Sequence, residues 1–169
     1  TRLAAALVAE TSVMRSAAVL GLCVAFVQHR NTAGITQHFP ALLGTACLLL
    51  QEESAEVSRA VLTFVKVCCA VVPTDSLRDQ LPRVISSFCH ELGSLKAKFA
   101  TRCKGLMRKL LQRFGEGHVR PLVPQEDLPL LEYLLRQDRR RERRQGDKKE
   151  NLLESDDEAD EGEGDIVGD

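Results

Sequence analysis

The sequence predicts an all-α fold: a HEAT- or armadillo-like helical-hairpin solenoid that ends in a basic helix and an acidic disordered tail. Three observations carry this reading. Leu, Ala and Val dominate, aromatic residues make up 4 %, Trp is absent, and strand-type alternation is scarce. Apolar residues recur three and four positions apart, the spacing of one helix face. Helix starts near residues 12, 55 and 95 lie about forty residues apart, with a partner helix inside each interval. That period suits helix-hairpin repeats of roughly 40–47 residues, in which each hairpin buries its apolar face against the next. A four-helix bundle has the same helix content and stands as the alternative.

The elements follow in order. Residues 12–29 read as a helix capped by Ser12, with Ala17, Leu20, Val24 and Val27 as one stripe. Asn31, Thr32 and Gly34 break it. A second helix runs from about Ile35 to Leu50, kinked or delayed by Pro40. The segment QEES is a charged turn with capping character. A third helix spans residues 55–72, with Val57, Val61, Phe64, Val65 and Cys68 inward, and Pro73 ends it. Residues 76–92 form a fourth, facing inward through Leu77, Leu81, Val84, Ile85, Phe88 and Leu92, with Pro82 in its first turns. A fifth spans residues 95–114, inward through Leu95, Phe99, Cys103, Leu106, Leu110 and Phe114, and Gly115 is its C-terminal stop. After a Gly- and Pro-rich loop, a last helix runs from Glu126 to about Gln145 and loses its apolar content after Leu135.

Charge divides the chain sharply. Residues 1–95 carry seven basic and seven acidic side chains. Residues 96–149 carry sixteen basic against seven acidic, and residues 150–169 carry ten acidic and no basic ones. The near-neutral total of −1 therefore conceals a strong dipole. The domain reading is a solenoid end over residues 1–122, a basic arm over 123–149 and a disordered acidic tail over 150–169. The chain opens without Met inside the apolar run LAAALVA, and reads as the C-terminal piece of a longer protein. No apolar run approaches the roughly 20 residues that span a bilayer without a charge or break.

Catalytic patterns are missing: there is no G-x-S-x-G, no phosphate-binding Gly-Lys-Ser/Thr loop and no H-E-x-x-H. His29, His38, His90 and His118 are scattered. The cysteines Cys23, Cys47, Cys68, Cys69, Cys89 and Cys103 form no C-x-x-C pair and fall at apolar positions, as reduced core cysteines do. Adjacent Cys68 and Cys69 would diverge by about 100° on a helix, which argues against joint metal ligation. The chain is therefore read as no enzyme, with no cofactor, no small-molecule substrate and no membrane partner.

The basic stretch carries the functional reading. Lys96, Lys98, Arg102, Lys104, Arg108, Lys109 and Arg113 lie mostly opposite the apolar stripe of the fifth helix. On a helix alone this is an ordinary solvated face. Arg136, Arg139, Arg140, Arg141, Arg143 and Arg144 extend the charge, and guanidinium forks suit phosphates. No aromatic residue interleaves them, so backbone contact rather than base stacking is indicated. The candidate RNA-binding set is Lys104, Arg108, Lys109, Arg113, Arg136, Arg139, Arg140, Arg141, Arg143 and Arg144; a nuclear-import signal is a competing use of the same residues. Ser155, followed by Asp156, Asp157 and Glu158, is a possible phosphorylation site. Ile166 and Val167 form an apolar island in the tail.

The segments VMRSAAVLGLCVAFVQHR, EVSRAVLTFVKVCCAVVP and KAKFATRCKGLMRKLLQRFG, in that order and followed by a Val-Pro loop and an Arg/Lys-rich end, resemble the C-terminal region of the ribosomal-RNA-processing protein twelve family. The likeness covers about residues 10–145. It implies a HEAT-repeat, non-enzymatic scaffold of small-subunit ribosome assembly in the nucleolus. Precursor ribosomal RNA, assembly factors and ribosomal proteins would be its partners. Importin-like transport receptors, which bind protein cargo, are the nearest confusable group.

Overall fold

The computed structural model describes the backbone of residues 5–157 and the side chains of residues 5–145. The chain divides after Leu128 into two compact units. Among the described residues there is no strand.

The first unit opens on α1 (Ser12–Gln28). Its cap is Thr11, not Ser12: Thr11 has extended backbone, and its Oγ1 accepts from the Met14 amide at 3.2 Å. Ser12 is the first helical residue. The buried face is also not the expected one. Ser16, Ala18, Val19, Leu22, Cys23 and Phe26 are buried, while Leu20, Val24 and Val27 are 47 %, 55 % and 49 % exposed. Ala17 is exposed with them. The helix is apolar around most of its circumference, so spacing alone could not choose between two equivalent stripes.

Helix α2 (Ala33–Leu48) runs through Pro40, and a 3₁₀ turn over Leu49–Glu52 extends it. The stretch Ala33–Glu52 is long and apolar enough to cross a membrane by length and composition, which corrects the expectation that no such run exists. Phe39, Leu43, Ala46 and Cys47 are nevertheless buried within the fold, as in a core helix. Glu53, in the left-handed region at φ 53°, turns the chain. Ser54 then caps α3 (Ala55–Val71), its Oγ accepting from the Val57 amide at 3.4 Å. The five inward residues expected of α3 are all buried. Phe26 meets Phe64 edge-on at 5.1 Å between centroids and Phe39 at 6.2 Å, which ties α1, α2 and α3 into one core.

The single helix expected over residues 76–92 is two: α4 (Thr74–Asp79) and α5 (Leu81–Cys89), broken at Gln80. Pro82 is the cause. It cannot donate to a carbonyl one turn earlier, so a helix restarts beside it with the proline in its first turn. The six apolar residues assigned to this stretch are buried all the same. A 3₁₀ turn (Gly93–Leu95) precedes α6 (Ala100–Phe114), which begins five residues later than expected. Gly115, at φ 80°, ends α6 as its composition predicts. The Gly- and Pro-rich loop is ordered into α7 (Glu116–Val119) and 3₁₀ turns at Arg120–Leu122 and Gln125–Asp127.

Helix α1 packs on α3 and α3 on α6, while α2 contacts α3 and α5 contacts α6. Long-range side-chain hydrogen bonds of the first unit cluster near forty residues of sequence separation, with Lys96–Asp127 the exception at 31. Arg15–Glu52 spans 37 residues, Arg102–Thr63 39, Ser16–Glu56 40, Ser94–Glu53 41, Arg83–Pro40 43 and Arg113–Cys69 44. Thr63 pairs with the start of α6 and Cys69 with its end, so α3 and α6 run parallel.

The second unit is essentially α8 (Leu128–Asp157). It starts two residues later than expected. It also continues past residue 149, through a stretch expected to be disordered, as far as Asp157. That stretch is rich in Lys, Glu and Leu, which favour helix despite the charge. Residues 158–169, including the Ile166–Val167 island, lie outside the described residues, as does the side chain of Ser155.

Candidate nucleic-acid interface

The ten basic residues singled out from the sequence fall into two groups. Lys104, Arg108, Lys109 and Arg113 belong to α6 in the first unit, and all four are partly buried. Arg113 is committed to the fold. Its Nη1 donates to the Cys69 carbonyl at 2.6 Å, and its Nη2 donates to the Val72 carbonyl and to Thr74 Oγ1. These carbonyls close the C-terminal turn of α3, where helical acceptors lack intrahelical donors. The guanidinium also lies 5.8 Å from the centre of the Phe114 ring. Arg113 is thus a clasp between two helices, which sequence spacing could not reveal.

The other six, Arg136, Arg139, Arg140, Arg141, Arg143 and Arg144, stand exposed on α8. At 100° per residue, all but Arg141 fall within an arc of about 140°, and Asp138 and Glu142 project on the opposite side. The helix therefore sorts a mixed-charge run into a cationic face. Gln137, Arg140, Arg141 and Arg144 line a shallow hollow of about 200 Å³ along one edge of that face. Several guanidinium forks in one hollow can take up an anion larger than a single carboxylate.

The surroundings of two sets of basic residues escaped the sequence reading. Lys96 lies 2.7 Å from Asp127 Oδ2 and 3.7 Å from Glu126 Oε1, within the first unit. Burial pulls its ammonium downward, but the hydrogen bond and charge of Asp127, with Cys89 and Glu126, outweigh that and leave its pKa raised. The second is a groove between α3 and α6, lined by Leu62, Lys66, Thr101, Arg102, Gly105, Leu106 and Lys109, with a volume of about 470 Å³. The repeat period held the signal, since a separation near forty residues places Lys66 beside Gly105.

The thiols belong to the core. All six cysteines are free and buried. Burial pushes Cys23, Cys69 and Cys103 up to about 11 and Cys47 up to about 12, and Cys68 and Cys89 are raised as well. Such thiols stay protonated at neutral pH, whereas nucleophiles and metal ligands need the thiolate. No group of three or more metal-ligating side chains occurs among the described residues.

The described residues define a class of protein: an all-helical protein whose last helix carries a cationic face over residues 136–144. No protein-family model matches the chain. It is similar to ribosomal RNA-processing protein 12 of Saccharomyces cerevisiae, at 24 % identity over 131 residues, 76 % of this chain and 10 % of that protein. The RRP12-like protein of Homo sapiens is 26 % identical over 113 residues, 67 % of this chain and 9 % of that protein. The putative ribosomal RNA-processing protein 12 of Schizosaccharomyces pombe is 23 % identical over 90 residues, 53 % of this chain and 8 % of that protein. The chain thus spans about a tenth of the length of the curated relatives it matches. These comparisons bear out the resemblance drawn from the sequence: the chain is similar to ribosomal RNA-processing protein 12 of fungi and to the RRP12-like proteins of vertebrates.

Proposed function

We infer that this chain is a length of helical solenoid serving as a non-enzymatic scaffold in ribosomal RNA processing. Its place is small-subunit assembly in nucleolar particles, alongside assembly factors and ribosomal proteins. It contacts precursor ribosomal RNA through the phosphate backbone. The names of the relatives support the process. The recurring separation of 37–44 residues between hydrogen-bonded helices supports the solenoid. So does the exposed apolar face of α1. Thr11 and Ser54 cap their helices in the same way, and this alignment matches Val13 to Glu56, the α3 residue that bonds Ser16 of α1. A preceding hairpin would cover that face as α1 covers α3.

The observation that carries RNA contact is the arginine face of α8 over residues 136–144, where Asp138 and Glu142 fall on the other side. Lys104 and Arg108 of α6 are separate candidates for phosphate contact in the first unit. Replacing Arg139, Arg140, Arg141, Arg143 and Arg144 together with Gln is expected to weaken binding across RNA sequences. The log–log salt slope should fall by roughly 0.7–0.9 for each phosphate that the variant no longer neutralises. The same arginines can act as a nuclear address, so the variant is tested with a heterologous import signal fused to it. If that protein enters the nucleus and crosslinks to precursor RNA as the parent does, the arm is an address and the RNA reading fails.

A further inference from the structure

The groove between α3 and α6 has a chemistry different from the arginine face. Leu62 and Leu106 are buried and form its floor, and Lys66, Arg102 and Lys109 form its rim. Gly105 leaves the floor open: a Cβ built there meets nothing within 4 Å. Arg102 is steadied by Thr63 Oγ1, 3.3 Å from its Nη1. No carboxylate lines the groove, and none of the three cations forms an ion pair with a described residue.

Two anionic partners would answer the charge, and the floor separates them. A phosphodiester laid over two leucines would lose hydration there, with Thr101 the one uncharged side-chain donor in the lining and the mid-helix amides spent on helix hydrogen bonds. Nor is there an aromatic ring in the groove on which a base could stack. An aliphatic side chain gains from the leucines, and carboxylates on either side of it reach the rim. The volume, about 470 Å³, falls within the range of binding clefts for small ligands and short segments.

We propose that this groove receives a short acidic peptide segment of a partner protein. An aliphatic side chain sits over Gly105 between Leu62 and Leu106, and flanking Asp or Glu carboxylates pair with Lys66, Arg102 and Lys109. This site is separate from the arginine face and does not depend on RNA binding there. It moves Lys109 from the RNA set to a protein contact.

Fluorescence anisotropy on the full chain tests it with three labelled probes. These are an acidic peptide with a central Ile-Leu pair, the same peptide with Ser-Ser in its place, and a single-stranded RNA. The two variants are Gly105→Leu, which fills the groove where space is open and favours helix over glycine, and Lys66→Glu, which reverses a rim charge. An unchanged melting temperature for Gly105→Leu establishes that it folds. The Ile-Leu peptide is expected to bind, and each variant to weaken it by about tenfold or more. The Ser-Ser peptide should be weaker by a similar factor on the parent, and RNA binding should be unaffected by Gly105→Leu. The proposal is overturned if the Ile-Leu peptide does not bind, if the Ser-Ser peptide binds as tightly, or if Gly105→Leu leaves the peptide unchanged. Loss of RNA rather than peptide on that substitution would reassign the groove to nucleic acid. Failure of the arginine-face reading would appear separately, in the salt slope of the Arg139–Arg144 variant.

Discussion

Arg113 Nη1 donates to the Cys69 carbonyl at 2.6 Å, across 44 residues of chain. One guanidinium thereby holds the end of α3 against the end of α6, with Val72 and Thr74 sharing the same fork. Arg113→Met should cost about 1–3 kcal/mol, because carbonyls at a helix end lose charged donors in a partly buried place. Arg113→Lys should recover little of this, since a lone ammonium cannot serve three acceptors set out for a planar fork. Urea denaturation measures both. RNA affinity per folded molecule should stay as it was, which separates Arg113 from the arginines of α8.

Stability should fall as pH rises above about 9. The six buried thiols have folded pKa values above the ordinary 9.0. A group raised on folding contributes fully below its unfolded value and loses that contribution as pH climbs toward the folded one. Lys96 is also raised, from 10.5, and acts with the same sign at higher pH. Denaturation midpoints between pH 7 and pH 10 should therefore decline, and Cys47→Ala should flatten part of the decline. A midpoint constant across that range would mean that the thiols are not held in apolar surroundings.

The exposed stripe of α1 predicts a contrast between two kinds of substitution. Leu20→Glu with Val24→Glu should change the stability of this chain by no more than about 0.5 kcal/mol per site, as surface substitutions do. Phe26→Ala should cost about 3–5 kcal/mol, because its ring is fully buried between Phe39 and Phe64. In a chain extended at its N-terminus by a helix hairpin that covers the stripe, the same glutamates should become destabilising. Equal tolerance in both contexts would count against the solenoid.

Helix α8 runs through Gly146. Gly146→Pro should remove helical ellipticity from the residues beyond it, at a local cost of about 3 kcal/mol. The arginine face lies before that point, so RNA binding should survive. If ellipticity does not change, the stretch after Gly146 is not helical in solution.

Much of the core was legible in the sequence. Val61, Phe64, Val65, Leu81, Ile85, Phe88, Leu106 and Leu110 read as inward and are buried. Each sits on a helix with one apolar side and one polar side, so burial had a single solution. The charge division was legible too, because charge belongs to the residue and needs no neighbour. The arginine face of α8 needed only the helical period: once 136–144 is helical, Asp138 and Glu142 must lie opposite.

The rest was decided by tertiary contact. On α1, apolar around most of its circumference, Val19, Leu22 and Phe26 face inward because α3 lies on that side, and no local pattern distinguishes them from Leu20, Val24 and Val27. Arg113 and Lys109 look alike in sequence, yet one clasps a helix end and the other rims a groove, according to which atoms of α3 lie opposite. Lys66 shares a groove with Arg102 and Gly105 only because α6 packs on α3. Local sequence sets helix, charge and capping through short-range sterics and hydrogen bonds. Which of two equal faces is buried, and which cations share a site, depends on helices about forty residues away, whose approach only the packed chain fixes.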